Sequence, residues 1–153
     1  MITFRVERWR DFVIDGQHLF SKHWEDVALD RDKIDLSVDN AKYEQLDDLG
    51  LLHIVTARKD GRLVGYFLGF LMIHPHYKEA GLMAVTDIYY LLPEARSGGT
   101  GAKLFIEVEK SLKERGVVKA YLSCKIHQDH TKLFTRLGWK PTDITFSKII
   151  GGK

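Results

Sequence analysis

Apolar residues along this chain switch between two periods. Ile2, Phe4 and Val6 occupy every second position, the mark of a strand with one buried face. Trp9, Phe12, Val13, Leu19, Phe20 and His23 or Trp24 then recur at spacings of three and four. That spacing predicts a helix, interrupted at Gly16, a residue that costs about 1 kcal/mol relative to alanine in a helix interior. Residues 30–39 read as a loop, and residues 41–49 as a short helix stopped by Gly50. Residues 51–58 and 62–73 are strands joined by Lys59-Asp60-Gly61, where Asp-Gly suits the positive φ of a tight hairpin. A polar loop over 74–81 leads to a strand over 83–92. Leu104, Phe105, Val108 and Leu112 then form the buried stripe of a helix over 102–115, with Glu109 and Lys113 as a favourable i,i+4 pair and Gly116 as its stop. Residues 117–124 are the next strand, 129–137 a short helix ended by Gly138, and 144–150 a terminal strand. The predicted order is β-α-α-β-β-β-α-β-α-β, an α/β chain with a mixed central sheet flanked by helices.

Chemistry concentrates where the fourth strand meets the third helix. Arg96-Ser97-Gly98-Gly99-Thr100-Gly101 follows the strand directly and opens the helix. A helix start leaves its first N–H groups unpaired and carries a partial positive charge, so a diphosphate fits there. Gly99 and Gly101 have no β-carbon to hold a ligand away, and the Arg96 guanidinium can bond phosphate oxygens in pairs. The loop is not a nucleoside triphosphate loop, because Lys103 comes after the glycines with no hydroxyl residue following it. Nor is it a dinucleotide fingerprint, since Leu104 stands where the third glycine belongs and the motif lies two-thirds along the chain.

What remains, Arg-x-x-Gly-x-Gly, resembles the pyrophosphate loop of the GNAT family of acetyl-CoA-dependent N-acetyltransferases. The resemblance extends upstream through Asp87-Ile-Tyr-Tyr-Leu-Leu-Pro-Glu-Ala-Arg96 and downstream through Leu133-Phe-Thr-Arg-Leu-Gly-Trp139. These blocks fall within residues 51–150, and residues 1–50 match in length and pattern only. The resemblance implies a GNAT-like fold over 1–153 as one domain, with acetyl-CoA as cosubstrate. It also implies a gap between residues 87–92 and 120–124 that takes the pantetheine arm. Leu91, Leu92, Arg96, Ser97, Gly98, Gly99, Thr100, Gly101 and Ala102 would then bind the cofactor, Leu91 through a backbone N–H that meets the oxyanion.

Acetyl transfer to an amine needs a base for the amine and a proton for the leaving thiolate. Asp87 is the candidate base; strict alternation places its side chain on the same face as those of Tyr89 and Leu91. The family's tyrosine acid corresponds to Phe134, which has no proton to give. Water, another side chain or a loss of catalysis are the alternatives; thiolates leave well enough for water to suffice. His127, where the family often has an asparagine on the pantetheine arm, is the candidate for that bond or for the proton. Tyr89, Tyr90 and Cys124 are weaker substitutes. His74, His76, His127, Asp129 and His130 lack the spacing of a metal site, so no metal is expected.

Composition narrows the partners. One cysteine, Cys124, fits a reducing compartment, and no apolar run is long enough to span a bilayer. The first residues lack the basic and then apolar order of a secretory leader, so a cytoplasmic location is expected. Residues 25–48 hold nine carboxylates against three cations, a net −6, which leaves +8 for the rest of a chain whose total is +2. That asymmetry suits a polyanionic cofactor and a cationic acceptor: a small amine, or a lysine or N-terminal amine of a protein. Scattered basic residues and the acidic segment argue against nucleic acid. Members of the family are frequently dimeric, which leaves a homodimer open. The rival expectation, raised by Phe134, is a CoA-binding or structural subunit without turnover.

Overall fold

The computed structural model describes residues 1–152. Strand β1 (Ile2–Val6) forms where the alternation places it and lies antiparallel on β2 (Leu52–Lys59), with Ile2 opposite Lys59 and Val6 opposite Val55. β2 turns into β3 (Arg62–Ile73) through Asp60 and Gly61, at φ 51° and 83°, the left-handed pair that a two-residue hairpin loop requires. β3 runs antiparallel to β4 (Leu82–Leu91), and β4 runs parallel to β5 (Val117–Tyr121). The sheet is therefore mixed, five-stranded and ordered β1-β2-β3-β4-β5. Its one parallel step needs a crossover, supplied by α3 (Thr100–Glu114).

Helices cover both faces. α1 (Trp9–Val27) and α2 (Asn40–Asp48) lie on one, where Trp9, Phe12, Phe20, Tyr66, Leu68 and Tyr90 share a core cluster. α3 and the short α4 (Thr131–Arg136) cover the other, their Phe105 and Phe134 sharing a second core cluster with Val55, Phe67 and Leu71. β2 sits between them and is buried from Leu52 through Arg58, as a strand covered on both faces must be. The predicted interruption at Gly16 does not occur: α1 runs through it. A Cβ there would lie 2.5 Å from Phe12 Cζ, so the glycine makes room for a ring that packs edge-on against Tyr66 at 5.3 Å. α2 is capped by Asp39, whose Oδ1 accepts from the Lys42 N–H at 2.9 Å. Its far end holds the start of α1, because Asp47 Oδ2 accepts from Arg8 Nε at 2.7 Å and from the Trp9 N–H at 3.0 Å.

Two boundaries differ from the sequence pattern. β5 ends at Tyr121 rather than at residue 124, because its ladder with β4 stops there. The predicted terminal strand over 144–150 is absent: among the described residues this segment pairs with no strand, and Ile144, Phe146 and Ile150 are 82%, 89% and 86% exposed. Alternation gives a segment the capacity to pair, but the ladder comes from a neighbouring strand, and among the described residues no strand pairs with this one. No helix among the described residues is long and apolar enough to cross a membrane.

Candidate functional site

The parallel pairing of β4 with β5 runs only from Leu82 opposite Val117 to Val85 opposite Tyr121. Thr86 Oγ1 donates to the Tyr121 carbonyl at 2.8 Å as a last link, and beyond it β4 continues while the chain after Tyr121 departs. On its other edge β4 stays paired with β3 to the end, where the Leu92 N–H donates to the Val64 carbonyl at 2.8 Å. Hydrogen-bonded and open pairs alternate in an antiparallel ladder. The preceding pair, Gly65 with Leu91, therefore turns the Leu91 peptide groups away from β3 and toward the gap. The Leu91 carbonyl is taken there by Arg96 Nε at 2.9 Å, and the Leu91 N–H points the same way. The Leu92 N–H, by contrast, is held in the ladder.

β4 also carries one residue more than β3. Leu68 faces Ile88 and Gly69 faces Thr86, so Asp87 has no counterpart. This bulge breaks the alternation. Asp87 does not share a face with Tyr89 and Leu91, as strict alternation predicts. It points with Ile88 and Tyr90 toward α1 and α2, and its Oδ2 accepts the hydroxyl proton of Tyr43 on α2. Tyr89 goes to the opposite face and packs edge-on against Phe105 at 5.1 Å. Burial raises the Asp87 pKa above the usual carboxylate value, against the opposing pull of the Tyr43 hydrogen bond.

After β4 the chain turns through Pro93–Ala95 into the glycine loop. Gly98 and Gly99 have φ of 66° and 74°, so side chains would be strained there, and a Cβ on either would meet nothing within 4 Å. The loop is open to its surroundings. At the start of α3, Thr100 Oγ1 and N–H both turn back to the Ser97 carbonyl, at 2.8 and 3.4 Å, and the Lys103 N–H reaches the Gly99 carbonyl at 3.0 Å. No hydrogen bond among the described residues takes up the N–H of Gly101 or Ala102. A Cβ on Gly101 would lie 3.9 Å from Leu91 Cδ1, so the helix start and the end of β4 adjoin. Arg96 is exposed; its Nε is spent on Leu91 and its guanidinium carbon sits 5.5 Å from the Tyr90 ring centre.

An open groove of 2310 Å³ passes through the splay. Asp87, Tyr43 and His23 line one side, Tyr89, Cys124, His127 and His130 the other, and Asp30, Asp35 and Asp39 of the acidic segment join the lining. Residues 91–102 are not among its walls. Behind the first side stand two more phenols: His23 Nδ1 lies 2.8 Å from the Tyr66 hydroxyl, and Tyr90 donates to Asp26. On the second side His127 is exposed in the turn Ile126–Gln128 and makes no hydrogen bond among the described residues. His130 stands nearer the strand, its ring 5.8 Å from that of Tyr89, and its N–H reaches Cys124 Sγ at 3.5 Å. Phe134 is a core residue, edge-on to Phe105 at 4.9 Å and to Tyr89 at 6.2 Å. His74 and His76 stack on each other at 5.5 Å outside the groove, and no three metal-ligand side chains gather among the described residues.

The structure thus brings Leu91, Arg96 and Gly101 together and puts Asp87 and His127 on opposite walls. Sequence reasoning missed Tyr43, Tyr66 and the hydrogen-bonding role of His23. The available signal was a histidine on the apolar stripe of α1, where a polar side chain needs a partner.

A family model described as Acetyltransferase (GNAT) family matches residues 9–139. No curated protein matches the chain in sequence. Among solved structures, an aminoglycoside acetyltransferase from an uncultured soil metagenomic sample, in complex with sisomicin, superposes with a TM-score of 0.74 at 14% identity, covering 98% of this chain and 97% of that one. A ribosomal-protein-alanine N-acetyltransferase from Brucella melitensis biovar Abortus 2308 gives 0.71 at 18% identity, over 99% of this chain and 100% of that one. A protein described as a predicted acetyltransferase, from Clostridium acetobutylicum with acetyl-CoA, gives 0.66 at 14% identity, over 97% and 96%.

Proposed function

The chain belongs to the GNAT acetyltransferase family, and from that premise we propose that it is an acetyl-CoA-dependent N-acetyltransferase acting on a primary amine. The observation that carries this reading is the open glycine loop and unpaired helix start lying against a strand end whose N–H faces a splayed gap. Ser97 to Ala102 would hold the diphosphate, with the two terminal guanidinium nitrogens of Arg96 beside it. The Leu91 N–H would meet the thioester oxygen as it gains charge, and Leu92, its side chain buried in the core, would contact the cofactor through its carbonyl, which also accepts from the Ala95 N–H at 2.8 Å.

In the reaction, the amine nitrogen attacks the acetyl carbon, the C–N bond forms, the C–S bond breaks and CoA leaves as thiolate. Asp87 takes the amine proton, directly or through water; a carboxylate with a raised pKa is a stronger base for that task. His127 is assigned to the pantetheine arm. The thiolate's proton comes from water or from Tyr89, which stands beside Phe134 and keeps its phenolic proton because burial raises its pKa. Tyr90 drops out as a donor to the thiolate, since its hydroxyl is committed to Asp26 on the other face.

The acceptor is read as a small amine, or a lysine or N-terminal amine of a protein, with a cationic molecule favoured by the carboxylates on the groove wall. Aminoglycosides and a ribosomal-protein alanine are named for the neighbours and span both classes. One N-acetyltransferase-like domain over 1–153 is supported by the near-complete mutual coverage of those structures. A cytoplasmic location completes the reading, and a homodimer is compatible with it.

Two measurements test it. Calorimetry should detect acetyl-CoA binding at micromolar to millimolar concentration, and Gly99→Glu should abolish it by adding strain, bulk and negative charge to the loop; equal affinity in the variant would displace the diphosphate from this loop. Thiol release with a panel of amines separates the enzyme from its rival, a CoA-binding or protein-interaction subunit, which the core packing of Phe134 favours. Steady release with any amine disposes of the rival.

A further inference from the structure

The side of the groove that carries Asp87 also carries a hydrogen-bond donor whose direction is fixed from behind. Tyr66 is fully buried, at 0% exposure, and among the described residues its hydroxyl touches one polar partner, His23 Nδ1 at 2.8 Å. A buried O–H left without an acceptor costs roughly 1–3 kcal/mol. Nδ1 is the acceptor within reach, so Tyr66 donates and His23 receives. An imidazole that accepts at Nδ1 while neutral carries its proton on Nε2. The ring is clamped in place by a parallel stack on Tyr90 at 4.9 Å and 11°. Nε2 has no partner among the described residues, and His23 is half-buried and lines the groove together with Tyr43 and Asp87.

We infer, on the acetyltransferase reading above, that His23 presents a fixed N–H to the acceptor, and that the preferred acceptor is therefore a primary amine bearing a hydroxyl, ether or carbonyl oxygen near the amino carbon. Two polar groups of opposite sense then face one substrate: the Asp87 carboxylate takes the amine's proton, and the His23 Nε2–H donates to the neighbouring oxygen. Both line the same groove, Asp87 bonded to the Tyr43 hydroxyl and His23 to that of Tyr66. Burial and Lys125 push the His23 pKa down, against the pull of Asp26, to about 4. The ring is uncharged at neutral pH and does not repel an ammonium group. A donor of this kind discriminates strongly, because an acceptor lacking the oxygen leaves the N–H unpaired once the groove is filled.

The experiment compares kcat/KM for matched acceptors, ethanolamine against propylamine and glucosamine against cyclohexylamine. The native protein should prefer the oxygen-bearing member of each pair at least about tenfold. His23→Phe should cut that preference to about threefold or less. His23→Gln, which restores an N–H near the same point, should recover it, and Tyr66→Phe, which keeps the ring and frees the tautomer, should fall between. Long-range proton–nitrogen NMR of the native protein at pH 7 reads the tautomer without any turnover: Nε2 should be the protonated nitrogen. Protonation at Nδ1, absence of preference in the native protein, or an unaltered preference in a folded His23→Phe would each overturn the inference while leaving the acetyltransferase reading in place. Absence of turnover with every amine would overturn both.

Discussion

His53 and His23 are both held uncharged by burial, each with a pKa pushed down to about 4. Their surroundings differ. His53 lies on β2 at 0% exposure, where Nδ1 accepts from Arg115 at 3.2 Å, Nε2 donates to Ser111 Oγ at 2.8 Å, and Ser111 donates onward to the Glu107 carbonyl at 2.7 Å. Arg115 is itself occupied by the carbonyls of Leu52 and Gly50, at 2.7 and 2.8 Å. Both ring nitrogens of His53 are spent inside the protein. His23 reaches the same tautomer through Tyr66, but its second nitrogen is unspent and stands on a groove wall. A depressed pKa marks burial in both; the surplus donor distinguishes a residue that can meet a ligand from one that joins a helix to a sheet.

The largest effect that would sharpen this contrast is on stability. His53→Ala should cost about 3 kcal/mol in urea denaturation at pH 7, from lost packing and the broken relay to Ser111 and Arg115, with kcat per folded molecule retained. The pH dependence follows from the same site. Unfolded histidine titrates near 6.5 and folded His53 near 4, so between those values the unfolded chain binds the extra proton. Stability is complete above about pH 6.5 and declines as pH falls toward 4; in the variant that decline should be shallower. Equal slopes in the two proteins would break the comparison.

Next in size is Asp87→Asn, which removes the base and should lower kcat about 100-fold, a loss of about 2.7 kcal/mol in transition-state stabilisation. Acetyl-CoA affinity and the urea midpoint should change little, the reverse of the His53 pattern. An unaltered rate would remove Asp87 from its assigned role. The smallest effect is expected from Tyr43→Phe. The lost hydrogen bond is the one that lowers the Asp87 pKa, so the carboxyl should titrate at higher pH and the acid limb of the pH–rate profile should move upward, with the plateau rate little changed. An unmoved limb would mean that Asp87 does not control it.

Most of the fold was legible because its signals are local. The alternation of Ile2, Phe4 and Val6, the Asp60-Gly61 hairpin and the stripe through Leu104, Phe105, Val108 and Leu112 each fix an element within a few residues of themselves. The glycine loop was legible for the same reason, since positive φ at Gly98 and Gly99 leaves a mark in residue type. Asp87 was found, but its direction was not. A bulge has no residue signature here, and it depends on β3 being one residue shorter across from it. Tyr66 and His23 are 43 positions apart and meet because α1 crosses β3, a long-range contact that spacing along the chain cannot reveal. The segment 144–150 shows the opposite failure: a clear local pattern with which, among the described residues, no strand pairs.

The extra link at Asp87 reverses the parity of β4 partway along its length. Positions before it and after it obey opposite odd–even rules, so the strand reads as two half-strands out of phase rather than as one repeating ribbon. Any comparison of this chain with relatives that lack the insertion has to open its gap at that point. Placed elsewhere, the gap would pair Tyr89 with residues that belong opposite Tyr90, and the two sides of the groove would exchange identities on paper.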